Sequence, residues 1–156
     1  MQTRTKVLTM GVSGMVLVAL AVSEGWVSTA TPPVPGDVPT VGFGFTEGVK
    51  LGDKIDSVRG IIRLHKEADK HAEGIKSCIV VELHQHEFDA YLQLAYNIGV
   101  GAFCSSTLVR LLNQRKYAEA CDQIFRWDKF KGEPLKGLTA RRQKEHLECL
   151  GKKHDQ

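Results

Sequence analysis

Glu24 and Thr40 stand sixteen residues apart, with Asp37 three residues before the threonine. An acid opposed across a cleft by a second carboxylate and a hydroxyl is equipment for cutting a glycosidic bond. One carboxyl protonates the leaving oxygen, and the opposite group manages the nucleophile. Glu24 directly follows Val7–Ser23, a run of 17 residues without a charge, and lies two residues before Trp26. That setting suits Glu24 as the general acid, with Asp37 as base or nucleophile and Thr40 holding water through its hydroxyl. A glutamate in isolation is ordinarily a solvated surface residue, so the candidate depends on the elements around it.

Those elements read as α+β. Residues 26–37 hold Pro32, Pro33 and Pro35 and predict a loop. Val38 to Phe45 predicts a strand, 46–48 a turn, and Val49 to Ile55 a short returning strand. Helical periodicity then takes over. Asp56 is placed to cap a helix reaching about His71, and Leu83–Ile98 forms a second helix ended by Gly99 and Gly101. A short helix follows Ser105–Ser106, another covers Tyr117–Trp127, and a last one runs from a Thr139 cap to Leu150. Residues 131–137 predict a loop. The expectation is a small N-terminal β-hairpin lobe and a larger helical lobe, preceded by an apolar helix.

The 156 residues suffice for one domain with a core of its own. The net charge is +3, and setting Arg4 and Lys6 aside leaves nineteen basic residues against eighteen acidic ones, which argues against a nucleic-acid partner. Cysteines occur at 78, 104, 121 and 149 with no CxxC pair, so no metal site and no cofactor are expected. Four cysteines allow three connectivities. Cys78–Cys104 with Cys121–Cys149 is the preferred one, because each pair would bracket a helical hairpin; four free thiols are the alternative.

The N-terminus divides the chain into residues 1–23, an export-like segment, and 24–156, the soluble domain. Arg4 and Lys6 precede the apolar run, which is at the lower limit for spanning a bilayer and is diluted by Gly11, Ser13 and Gly14. Three readings stand: cleavage after Ala19-Leu20-Ala21, a permanent anchor, or an anchor that later leaves the bilayer. All three export the chain. The favoured one places it first in the inner membrane through residues 7–23 and then in the periplasm, as a monomer.

Several segments together resemble the phage-type lysozymes, endolysins of glycoside hydrolase family 24. They are Glu24-Gly25, Pro39-Thr40-Val41-Gly42-Phe43-Gly44 with Thr46, Phe88-Asp89-Ala90, and Ala95 through Phe103. Ser106-Thr107-Leu108, Ala120-Cys121, Arg126-Trp127, and Gly137-Leu138 with Arg141-Arg142 complete the set. The resemblance covers roughly residues 22–150. It implies a lysozyme-like fold and hydrolysis of the β-1,4 bond between N-acetylmuramic acid and N-acetylglucosamine in peptidoglycan glycan strands, leading to host lysis. It also implies a catalytic set of a glutamate, an aspartate or cysteine, and a threonine, in that order. Glu24 and Thr40 match it, whereas the aspartate register falls on Pro33 or Val34. Either the proline-rich loop brings Asp37 into that role or the role is vacant. A silent wall-binding relative and a lytic transglycosylase are the competing classes. Release of the apolar segment from the membrane as the activating step is a further implication.

Three other residues are candidates for the cleft. Asn97, at a helix end, is expected to bind substrate. Arg141 and Arg142 either reach the saccharide's carboxyl or lactyl groups or pair with an acid such as Glu145.

Overall fold

A computed structural model describes residues 3–152. The apolar N-terminal run does not form one helix. Thr5–Lys6 is a two-residue strand, β1, and Val7–Thr9 a 3-10 turn; the chain is then extended to Ser13, and helix α1 covers Gly14–Glu24. Ser13 starts α1 as its N-cap, the hydroxyl accepting from the Val16 amide at 3.1 Å. Gly25, at φ 69°, ends it. Eleven residues make a helix of about 16 Å, and no helix among the described residues is long and apolar enough to cross a membrane. Val16 and Leu20, one turn apart, are instead fully buried in the protein core, while Met15, Val18 and Val22 face outward.

The β lobe also differs from expectation. Val27–Thr31 is a strand, β2, because the prolines begin only at Pro32 and the preceding residues alternate with β-branched side chains. It pairs antiparallel with β3, Thr40–Gly42, with Val27 opposite Gly42, Thr31 opposite Thr40, and an irregularity between. The returning segment runs along the other edge of β2: the Ala30 amide donates to the Asp53 carbonyl and the Ile55 amide to that of Ser28. β2 is therefore the centre of the small sheet.

Helix α2, Ser57–Lys76, runs from this lobe to the helical lobe and extends beyond the expected end at His71. Asp56 caps it through the Arg59 amide at 3.0 Å, and Gly60, Leu64, Ala68, Ala72 and Ile75 form its buried stripe. After β4, Glu82–Leu83, which pairs with β1, comes α3, Gln85–Ile98. Phe88, Tyr91, Leu92, Leu94 and Ala95 of α3 are fully buried, and α1, α2 and the last helix all pack on it. Such an element is the centre of the core, not one side of it.

The remainder comprises α4 (Val100–Cys104), α5 (Thr107–Asn113) and α6 (Tyr117–Asp122), then a 3-10 turn at Gln123–Trp127. The hairpin β5 (Lys129–Phe130) and β6 (Glu133–Pro134) leads into α7 (Lys136–Cys149). The expected Tyr117–Trp127 helix is thus split, the 131–137 loop contains part of a hairpin, and Thr139 lies inside α7. Both preferred disulfides are present, Cys78–Cys104 joining the end of α2 to α4 and Cys121–Cys149 joining α6 to α7. Closing loops of 26 and 28 residues contributes about 3 kcal/mol each in the chain-entropy account.

Candidate active site

Glu24 is the last residue of α1, so whatever fixes α1 fixes its carboxylate. At the far end of the helix, Ser13 Oγ donates to Asp89 Oδ2 at 2.6 Å, and Gln85 Nε2 donates both to Asp89 Oδ1 and to the Gly11 carbonyl. Burial pushes the Asp89 carboxyl up, and the bonds from Ser13 and Gln85 pull it back down. Further upstream, Arg4 makes a two-pronged pair with the buried Glu87, at 2.7 and 3.1 Å, and lies 3.6 Å over the Tyr117 ring. The basic residue that resembles an export signal in the sequence is here a structural ion pair with α3.

At the other end, the sharp turn at Gly25 sends the chain into β2 and leaves Glu24 at the junction of the two lobes. Its Oε1 lies 3.5 Å from Arg141 Nη1, and its Oε2 faces Gly44, 3.6 Å from where a side chain there would begin. The Glu24 side chain remains 25% exposed, enough for a ligand to reach it. Tyr96 shares this environment: burial, with the charges of Glu24 and Glu67 added, pushes its hydroxyl up to about 12, so it is a neutral donor at ordinary pH.

The β-lobe wall is aromatic. Trp26 and Phe43 meet edge to face at 4.9 Å, Phe43 meets Phe45 at 6.4 Å, and the Arg63 guanidinium lies 4.5 Å over Phe45. Trp26 rests on α2 at Gly60, where a Cβ would stand 2.3 Å from the indole. Thr40, half-buried in β3, donates its hydroxyl to the Thr31 carbonyl at 3.3 Å. Asp37 lies in an exposed turn closed by its amide on the Val34 carbonyl, and among the described residues its carboxylate makes no hydrogen bond or ion pair.

Behind Glu24, α7 contributes a buried ionic group. Glu145 accepts from Arg141 Nε at 3.2 Å and from Arg142 Nη2 at 3.0 Å, so both arginines take the acidic partner. Arg142 also donates to Asn97 Oδ1 at 3.0 Å and has no exposed side-chain surface. In this conformation it is an internal support, out of reach of a saccharide, and the expected substrate contact does not hold for it. Asn97 is exposed and Arg141 partly so. Burial pushes the Glu145 carboxyl up to about 7, against the pull of the two guanidiniums.

The Phage lysozyme family model matches residues 21–145. The chain belongs to the phage lysozyme family. Among family relatives, the SAR-endolysin of Enterobacteria phage P21 is 36% identical over 112 residues, covering 71% of this chain and 68% of that one. The endolysin of Bacillus phage B103 is 31% identical over 124 residues, 78% of this chain but 47% of its own length. The chain therefore spans about half of that relative. A crystal structure of a mutant P22 lysozyme superposes with a TM-score of 0.81 at 30% identity, covering 91% of this chain and 99% of the other. The phage-lysozyme fold accounts for the small sheet beside a helical lobe built on one central helix.

From sequence Tyr96 reads as a core aromatic, with stacking on a sugar as the alternative, and Gly60 is not among the candidate residues. Their importance comes from contacts across elements, which spacing along one element does not report.

Proposed function

We propose that this phage-lysozyme family member is an endolysin that hydrolyses the β-1,4 glycosidic bonds of peptidoglycan. The observation carrying this reading is the position of Glu24: a partly exposed carboxyl at the lobe junction, held by a buried helix, with an aromatic wall beside it and a single guanidinium behind it. In this reading Glu24 protonates the glycosidic oxygen. Thr40 holds the attacking water, and Asp37 joins on the far side of the sugar when the 32–37 turn closes over a bound strand. Asn97 and Arg141 contact the saccharide from the helical lobe.

Residues 7–23 serve in this account first as an inner-membrane segment during export and later as part of the folded enzyme, which acts as a monomer in the periplasm. The charge-free run and the name SAR-endolysin borne by the phage P21 relative support this. The exposed apolar side chains of Leu8, Met15, Val18 and Val22 are what such a dual role would leave on the folded surface.

The test is clearance of outer-membrane-permeabilised bacteria by purified protein, with the N-terminus of the active species determined in the same preparation. Rapid clearance by a chain starting at residue 1 is expected. Folded protein that leaves turbidity unchanged contradicts the hydrolase reading, and an active chain starting at Val22 contradicts release of the intact segment.

A further inference from the structure

An open groove of about 710 Å³ lies between α1 and α7, a volume usual for ligand sites. On one side are Met15, Ala19 and Val22, spaced i, i+4 and i+7 and so in one stripe along α1. Ala140 and Leu147 of α7 stand opposite, and Gln93 of α3, the helix on which both pack, also lines it. No residue of the β lobe lines the groove, nor do Glu24, Tyr96 or Asn97. It is therefore separate from the cleft, and Arg141 is the one cleft side chain that also borders it.

The lining is mainly apolar, and its charged groups are mainly cations. Lys144 and Lys152 are exposed and form no ion pair among the described residues. Arg141 is already paired, with Glu24 and Glu145. Glu148 is the only acid in the lining. Gln93 Nε2 donates to its Oε2, and burial pushes its carboxyl up, which weakens its opposition to an anion.

Two properties set the class of occupant. A ligand seated between the helices must be apolar along its length, while two unpaired lysines at the edge complement an anionic head. Exposed apolar surface also continues past the groove: Met15 and Val22 are 75% and 76% exposed, and Val18 between them is 60% exposed. A single free amphiphile leaves that rim in water, whereas a bilayer surface covers it.

We propose that the groove between α1 and α7 is a docking site for anionic phospholipid at a bilayer surface. One acyl chain enters between the helices, and phosphate headgroups rest against Lys144 and Lys152. This goes beyond the hydrolase reading and does not depend on Glu24 being the general acid.

The experiment is sedimentation of the folded full-length chain with vesicles of phosphatidylcholine, alone or mixed with phosphatidylglycerol. Binding at least about tenfold tighter to the anionic vesicles is expected, and Lys144→Glu/Lys152→Glu is expected to lose at least about tenfold. Lys66→Glu/Lys70→Glu makes the same change of net charge on exposed α2 positions and is expected to stay within about threefold of wild type. Ala140→Gln, which puts an uncharged polar side chain into the groove without touching residues 7–23, is expected to weaken binding by about tenfold. A photoreactive acyl chain is expected to label both α1 and α7. Label confined to residues 7–23 marks reinsertion of that segment and overturns the proposal. So does equal binding to both vesicle types, an equal loss in the α2 control, or full binding by the folded groove variants. Saturable binding of oleate by a chain that ignores vesicles overturns it as well. Lost vesicle binding with peptidoglycan hydrolysis intact sinks this proposal alone and leaves the hydrolase reading standing.

Discussion

Ser13 and Asp89 are 76 residues apart in the chain, yet the serine hydroxyl donates to the buried carboxylate at 2.6 Å while its oxygen also caps α1. One side chain thus starts the helix that carries Glu24 and fastens that helix to the centre of the core. Ser13→Ala removes the cap and one of the two hydrogen bonds that hold the Asp89 carboxylate. A lost cap costs about 1 kcal/mol, and an undersatisfied buried carboxylate adds about 1–3 kcal/mol. Chemical denaturation is expected to show a loss of about 2–4 kcal/mol from these two effects together. A loss under 0.5 kcal/mol would show that the Asp89 contact does not anchor the helix.

Gly60 is a test of the aromatic wall. An alanine Cβ would stand 2.3 Å from the Trp26 ring, so the indole must move. Alanine gains up to about 1 kcal/mol in helix propensity, and overpacking costs about 1–3 kcal/mol. Trp26 is 39% exposed and can swing outward, which holds the cost near the lower end. Stability of Gly60→Ala is therefore expected within about 1 kcal/mol of wild type. Activity is expected to fall on the order of 10-fold or more, as the wall beside Glu24 is displaced. Unchanged tryptophan emission together with unchanged activity would contradict this placement of Trp26.

The pH dependence of stability has an unusual sign. Burial raises the carboxyls of Glu145, Glu148 and Asp89, Glu145 to about 7. Acids with raised folded-state pKa values bind protons more tightly when folded. The Glu145 contribution is fully present below its unfolded value of 4.5 and is lost as pH rises through about 7. Urea unfolding is expected to show wild type losing on the order of 2–3 kcal/mol between pH 5 and pH 8 relative to Arg142→Met/Glu145→Gln. An equal pH dependence in the two proteins would contradict the assignment.

The family, the α+β class and both disulfides were legible from order and spacing in the sequence. Long periodic helices such as α3 and an acid followed by a Gly-Trp turn keep their meaning without tertiary context. The N-terminal segment did not. Val7–Ser23 has the composition of a membrane segment, and only the Ser13 and Arg4 contacts with α3 reveal where its helix begins and what its charge does. β2 was hidden because Pro32, Pro33 and Pro35 colour the window that contains Val27–Thr31. For Arg141 and Arg142, the i+4 and i+3 spacing to Glu145 indicated an ion pair. Which guanidinium reaches Glu24 depends on how α7 is rotated against α1 and α3, which one-dimensional spacing does not carry.

The central claim is that Glu24 supplies the catalytic proton. Its most direct test is the release of reducing ends from purified peptidoglycan by wild type and by Glu24→Gln, with circular dichroism and denaturation confirming that both are folded. Wild type is expected to release reducing muramic-acid ends, and Glu24→Gln to lose at least about 100-fold in rate, the scale of a general acid's contribution. A folded Glu24→Gln protein that works within a few-fold of wild type would contradict the account.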